Sequence, residues 1–372
     1  GVLFVNKVIV KAGWINHKIN FSFDLNVFKM NLNEIDSQRD PNLEYRVLEL
    51  FSGIGGMHYA IDRSGKSYKV MAAIDINPIA NTIYNHNFGP DMAKNSNILS
   101  LTPERIEKLD VNVILMSPPC QPFSRNGSFK DVDDRRADPF VHLCNLLGKI
   151  PSVQFILLEN VKGFERSQAC ELFKTRLTAA GFFYKEYILS PHDFGVPNTR
   201  HRYYCVAKRS EFKNSTKELM TNPSLKYIQS VKTIGELVEP ESDKLVWYQL
   251  KDDMLRKRLA IMDICTPDSI NSMCFTKAYT HYAEGTGSVY SPLLRTEFDA
   301  IYKEIERTDD PDEQIILLRK LKVRYFTPVE IARLMSFPED FKFPQHITDK
   351  QCYRVLGNSI NVLVVSSLFD EM

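Results

Sequence analysis

The stretch Ser117-Pro118-Pro119-Cys120-Gln121-Pro122-Phe123-Ser124 sets a thiol in a turn that a sheet ladder cannot continue. Proline has no amide hydrogen, so the apolar run from Val111 to Met116 must stop at Pro118. The stiff turn holds Cys120 outside the sheet. A thiolate is a soft, strong nucleophile, and a helix N-terminus or a nearby arginine makes it easier to form. The alternative, a small buried cysteine, is the role expected of the other six: Cys144, Cys170, Cys205, Cys265, Cys274 and Cys352. Glu159, in Glu159-Asn160-Val161, ends the run Phe155 to Leu158. A carboxyl beside a nucleophile can act as an acid toward a ring nitrogen; taken alone it reads as the start of a loop or helix. Arg200 and Arg202 flank His201 just before another apolar run. Two residues apart on an extended chain, they share a face. They suit a phosphate or a pyrimidine carbonyl, or else a solvated basic edge.

A second group of residues suits a nucleotide. Gly53-Ile54-Gly55-Gly56 follows one apolar run and opens a helical pattern, where glycine lets the backbone approach a ligand. Asp75 ends the next run, about twenty residues further on, where a carboxylate can hold two ribose hydroxyls. The loop departs from the dinucleotide fingerprint, because His58 and Tyr59 stand where its last glycine belongs. That favours an adenosine-containing cofactor over one with a pyrophosphate. Gly357-Asn358-Ser359 reads as an N-cap turn opening the C-terminal helix.

The elements that must position these residues follow from short apolar runs: Val47 to Phe51, Val70 to Ile74, Val111 to Met116, Phe155 to Leu158, Phe182 to Leu189 and Tyr203 to Ala207. Such runs suit fully buried strands. Helical patterns lie between them at Met57 to Ser64, Ile79 to Asn87 and Ala169 to Ala180. The alternation predicts an α/β, doubly wound and mainly parallel sheet, with ligands at the carboxyl ends of its strands. The predicted organisation is an N-terminal extension outside the core over 1–45, a catalytic and cofactor-binding domain over 46–209, a smaller domain over 210–325, and a return to the catalytic domain over 326–372. In the smaller domain, helices are expected at Asp252 to Asp263 and Phe298 to Glu306, the second broken by Asp309-Asp310-Pro311. Residues before Met30 read as an extension or as an edge strand.

The 372 residues carry 47 Lys+Arg against 46 Asp+Glu, a net charge of +1, with 44% hydrophobic and 25% charged residues. This excludes a disordered regulator and a polybasic binder. It leaves room for a nucleic-acid enzyme with a local basic cleft, for which Arg200 to Arg202, Lys251 to Arg258 and Arg319 to Arg324 are candidates. The odd cysteine count without a C-x-x-C pair indicates neither a disulfide framework nor a zinc site, and no metal is expected. Free thiols suggest cytosol or nucleus. No apolar run reads as long enough to cross a bilayer, and the first ten residues read poorly as a signal peptide.

In this order, Phe51-Ser52-Gly53-Ile54-Gly55-Gly56, Pro118-Pro119-Cys120-Gln121, Glu159-Asn160-Val161, Arg200-x-Arg202 and Gly357-Asn358-Ser359 resemble the motifs of the cytosine-5 DNA methyltransferase family, from Arg46 to the C-terminus. Pro119 before the cysteine, the box Cys274-Phe275-Thr276, and the residues Lys277-Ala278-Tyr279 and Glu284 to Ser288 that follow it resemble one branch. That branch comprises the eukaryotic transfer-RNA methyltransferases, the "type two" homologues. The resemblance implies a Rossmann-like sheet with a target-recognition domain. It implies S-adenosyl-L-methionine as cofactor, S-adenosyl-L-homocysteine as product, and methylation of cytosine 38 in the anticodon loop of aspartate tRNA. DNA would be at most a weak partner, and the chain is expected to be a monomer without a membrane partner.

Carried over residue by residue, it makes Cys120, Glu159, Arg200 and Arg202 catalytic. It puts Phe51, Gly53, Ile54, Gly55, Gly56, Asp75, Ile76, Asn97, Ile98, Ser117, Pro119, Asn358 and Ser359 at the cofactor. It puts Cys274, Phe275 and Thr276 at substrate recognition. The family often has an acidic residue where Asn97 stands; the amide oxygen would replace it at the adenine edge. The implied mechanism flips the base, adds Cys120 to carbon 6, and uses Glu159 at N3 and the exocyclic amine. Arg202, with Arg200, would hold the carbonyl or a phosphate. The polar loop Arg125 to Asp138 is a candidate lid or an ordinary solvated loop. Rival readings are a DNA methyltransferase, a binding protein with a retired site, and a nucleotide-dependent oxidoreductase.

Overall fold

A computed structural model describes residues 44–119, 138–213 and 218–372. The predicted extension before Glu44, Cys120 and nearly all of the candidate lid lie outside the described residues. Seven strands form the main sheet: β1 (Tyr45–Leu50), β2 (Tyr68–Asp75), β3 (Ala93–Asn95), β4 (Val113–Met116), β5 (Phe155–Val161), β6 (Phe183–Leu189) and β7 (Arg202–Lys208). Their order is β3-β2-β1-β4-β5-β7-β6. The pairs from β3 to β5 are parallel, and β7 runs antiparallel to both β5 and β6. The central strands are almost wholly buried, as helices on both faces require of continuous apolar runs.

Between strands lie α1 (Gly56–Arg63), α2 (Pro78–Phe88), α3 (Pro103–Lys108), α4 (Asp138–Leu146) and α5 (Gln168–Ala179). Local chemistry marks their starts. Asn77 caps α2 with Pro78 in its first turn, Thr102 caps α3, and Ser167 caps α5. Helix α4, which the sequence pattern missed, buries Phe140, Leu143 and Cys144 in the core beneath β4 and β5. The chain builds outward from β1 to β3, then returns to the other side of β1 with β4. That reversal opens a crevice at the carboxyl ends of β1 and β4, the expected ligand position.

A smaller lobe carries α6 (Asp252–Arg258), α7 (Arg295–Arg307), α8 (Pro311–Lys320) and a three-stranded sheet of β8 (Ile264–Cys265), β9 (Val289–Tyr290) and β10 (Arg324–Tyr325). Its own core gathers Leu255, Phe298, Ile315, Leu318 and Leu321. The expected helix break at Asp309-Asp310-Pro311 is also a helix start: Asp310 caps α8 and Pro311 takes its first position, where a missing N–H costs nothing. The lobe is not a detached unit, since Glu44–Met372 clusters as one. Arg324 crosses to Glu330 at 2.7 and 2.8 Å in a fully buried pair, and Glu330 starts the return through α9 (Pro328–Leu334).

Three boundaries differ from the sequence reading. Tyr45 belongs to β1, not to the extension, because its ring is buried against Phe155. β5 does not stop before Glu159. Pairing with β7 carries it through Glu159 and Asn160 to Val161, against the low strand propensity of Glu and Asn. Gly357-Asn358-Ser359 does not open the last helix. It closes α10 (Asp349–Gly357), and Asn361 caps α11 (Val362–Leu368) by accepting from Val364 N at 3.1 Å. The stretch Asp349–Glu371 is long and apolar enough on composition to span a bilayer, contrary to the run-length reading; its most apolar 18-residue window is 78% buried, as a core element is.

Candidate active site

A cavity of about 610 Å³ opens at the crevice, within the range of small-ligand sites. Phe51, Gly53, Ile54, Gly56, Asp75, Ile76, Asn97, Ile98, Ser117, Pro119, Glu159, Arg200, Arg202, Asn358 and Ser359 all line it. Gly55 does not; it is the left-handed N-cap of α1. Cys274, Phe275 and Thr276 are not among the lining residues either. Cys120 lies outside the described residues, one position after Pro119.

One wall is the loop after β1. Gly53 adopts φ +53°, and a Cβ added there would meet nothing within 4 Å, so its bare backbone faces open space. Asp75 holds this loop: Oδ2 accepts from Gly53 N at 2.9 Å and Oδ1 from Asn77 N at 2.8 Å. Burial raises the Asp75 pKa, and the backbone donors oppose that rise. Each carboxylate oxygen keeps a second lone pair for a hydroxyl. The cavity fits an adenosine group in two further respects. Ser52 Oγ is buried without a hydrogen-bond partner among the described residues. Ile76 is 68% and Leu99 44% exposed at the wall, two apolar side chains placed for a ring. The Asn97 amide oxygen is already the acceptor for Leu99 N at 3.0 Å. Its expected role at an adenine edge therefore falls to its remaining lone pair or to the amide N–H.

The opposite wall carries the polar chemistry. Ser117 Oγ donates to Phe51 O at 3.2 Å and Asn160 Nδ2 to Pro118 O at 3.3 Å, so the Pro-Pro turn is tied to both flanking strands. Glu159 is 6% exposed, and Arg202 Nε stands 3.4 Å from its Oε1. Burial pushes the Glu159 carboxyl up, toward the protonated form; Arg202 and then Arg200 pull the other way.

Arg200 and Arg202 do not form a solvated basic edge. Arg200 is 3% exposed, and its two terminal nitrogens donate to Cys274 Sγ at 3.3 Å, Phe275 O at 3.0 Å, Gly357 O at 3.1 Å and Ser359 O at 2.5 Å. Its fork is committed to holding two segments together, which leaves Arg202 as the guanidinium facing the carboxyl. Phe275, expected at substrate recognition, is 2% exposed and packs edge-on against Tyr279 and Phe326, where burial of its ring contributes to the core. Cys274 is partly exposed rather than packed. The turn of Thr276 and Lys277 abuts the helix end: a Cβ on Gly357 would stand 2.1 Å from Lys277 N.

Residues missed in the sequence include Ser52, Asn77, Leu99, Lys277 and Ile360, all lining the cavity. Ser52, Leu99 and Ile360 adjoin named motif residues, and Asn77 carries a cap signal before Pro78. Lys277 lies in the Lys277-Ala278-Tyr279 stretch of the branch resemblance, but only the tertiary fold brings that segment to the cavity.

A family model of C-5 cytosine-specific DNA methylases matches residues 45–372. A tRNA (cytosine(38)-C(5))-methyltransferase of Spodoptera frugiperda is 42% identical over 331 residues, 88% of this chain and 98% of that protein. The protein of the same description from Homo sapiens is 37% identical, over 87% of this chain and 97% of its own. The crystal structure of a Spodoptera frugiperda DNMT2 mutant superposes with a TM-score of 0.80 at 42% identity, covering 87% of this chain and 98% of that one.

Proposed function

The chain belongs to the C-5 cytosine-specific DNA methylase family, and on that premise we propose that it methylates carbon 5 of a cytosine in tRNA, cytosine 38 of the aspartate tRNA anticodon loop, with S-adenosyl-L-methionine as methyl donor. The observation that carries the reading is the convergence of one cavity wall fitted to an adenosine group with another bearing buried Glu159, Arg202 and the Pro-Pro turn that leads into Cys120. The names of the relatives favour tRNA as substrate.

The cofactor would lie along Phe51 to Gly56, Asp75 to Asn77 and Asn97 to Leu99, with Ser359 near its amino-acid end. Once bound, it supplies an electrophilic methyl group. The chain's own residues make carbon 5 reactive. The flipped cytosine enters beside Glu159. The Cys120 thiolate forms a bond to carbon 6, the displaced ring electrons move toward N3, and the Glu159 proton meets them there. Arg202 holds the base carbonyl. After carbon 5 is methylated, N3 returns its proton to Glu159, carbon 5 gives up its proton to solvent as the carbon–sulfur bond breaks, and Cys120 leaves as thiolate.

Bisulfite sequencing of unmodified tRNA after incubation with protein and S-adenosyl-L-methionine tests this. A single protected cytosine at position 38 of aspartate tRNA is expected. The second reading is a DNA methyltransferase, which the family description itself favours. Faster turnover on duplex DNA in a parallel assay would replace the tRNA assignment with that one.

A further inference from the structure

Buried Arg200 and half-buried Arg202 line the cavity together with one carboxyl, Glu159, which stands 3.4 Å from Arg202 Nε. If Glu159 is to carry a proton toward N3, both positive charges stand unbalanced beside it. Among the described residues, the acceptors around them are backbone carbonyls, Glu159 and one further side chain. That side chain is Cys274, whose Sγ is 3.3 Å from Arg200 Nη1 and 3.7 Å from Arg202 Nη2. Its own segment delivers it there, because Arg200 also holds the next carbonyl, Phe275 O, at 3.0 Å. Other ionisable groups at this cluster among the described residues include Tyr204 on β7 and His201, which interacts with Arg202; Lys277 lines the same cavity.

We propose that Cys274 is a positioning residue for methyl transfer, a thiolate counter-ion whose charge offsets Arg200 and Arg202 and so leaves Glu159 free to keep its proton. The proposal rests on the methyl-transfer reading above. The physics is a competition at short range. Arg202 beside Glu159 favours the carboxylate, which is useless as an acid; a negative sulfur against the same guanidinium weakens that pull. Burial opposes an ionised thiol, yet the two arginines lower its pKa overall. Serine at this position keeps the size and loses the charge, whereas aspartate restores a charge.

The test compares wild type, Cys274→Ser and Cys274→Asp in kcat against pH at saturating tRNA and cofactor. Losing the thiolate should stabilise ionised Glu159, so the alkaline limb of the serine variant should move down by about one pH unit, a roughly tenfold loss of kcat above it. The aspartate variant should bring the limb back toward wild type. A serine variant with the wild-type limb, or two variants equally slow with unmoved limbs, overturns the proposal in favour of a packing role. A second measurement needs no activity: alkylation of Cys274 by iodoacetamide against pH, followed by peptide mass spectrometry. Half-maximal reactivity at a pH below the ordinary thiol range is expected, and titration at the ordinary value of about 8.5 overturns the proposal. Because this readout does not involve tRNA, a failure of the substrate assignment is told apart from a failure of the thiolate.

Discussion

Glu159 is set apart from a surface carboxylate by what surrounds it: burial that favours its protonated form and a guanidinium at 3.4 Å that opposes it. Glu159→Gln keeps the shape and removes the transferable proton. We expect kcat to fall by about 10²- to 10³-fold while calorimetric binding of S-adenosyl-L-homocysteine stays within about twofold. Cys120→Ala should abolish transfer and the covalent RNA adduct with the same intact cofactor binding; full activity would exclude a cysteine nucleophile. Beneath the cofactor loop, the Tyr84 hydroxyl donates to Glu49 at 2.7 Å and meets His58 Nδ1 at 2.9 Å. Burial lowers His58 to about 4 and raises Glu49 to about 8. The unfolded chain therefore protonates His58 first as pH falls, and the native state loses stability between pH 6.5 and 4 on its account. The Glu49 trend is opposite, with stability lost as pH rises from 4.5 toward 8. Urea unfolding of His58→Gln at pH 7 and pH 5 should show about 2 kcal/mol less acid destabilisation than wild type.

At the scale of elements, the site depends on three chain segments that meet end to end. The carboxyl end of α10, the Cys274–Lys277 turn and the approach to β7 are joined by Arg200 and by the bare Cα of Gly357. In Gly357→Ala the new methyl would press on backbone atoms of Thr276 and Lys277 at 2.2 and 2.1 Å, which have no flexible end to give way. We expect a loss of about 1–3 kcal/mol in stability, read as a lower thermal midpoint. kcat should fall with it, because the displaced turn carries Cys274 off the arginines. An alanine variant with wild-type melting would mean that the two segments do not touch in solution.

At the scale of the whole molecule, the near-balance of 47 basic and 46 acidic residues means that RNA affinity must come from a local surface. Of the candidates, Arg200 and Arg324 are buried, and Arg319 is occupied by Asp252. The exposed cations left on these segments include Arg256 and Arg258 on α6. Reversing both to Glu should weaken tRNA binding by filter retention. It should also flatten the salt dependence, by a slope of about 0.7 for each phosphate no longer neutralised, while kcat at saturating RNA changes little. Unchanged affinity would move the RNA surface off α6.

The sequence by itself determined the sheet, the loop after β1, the Pro-Pro turn and the order of the motifs. These are local matters: a proline cannot continue a ladder, and buried strands must be continuously apolar. It read the runs of β1, β2 and β7 to within a residue or two of their ends. It cut β5 short because only pairing with Tyr203 and Tyr204 makes Glu159 and Asn160 strand residues. Other features were decided by the tertiary structure alone, because each depends on partners far apart in the chain. Arg200 became an internal brace and not a surface cation because its acceptors come from Cys274 to Phe275 and Gly357 to Ser359. Phe275 entered the core, and Cys274 passed from one of six packing thiols to the counterweight of two arginines. A cysteine's neighbours in space set its charge, and no spacing along the chain records them.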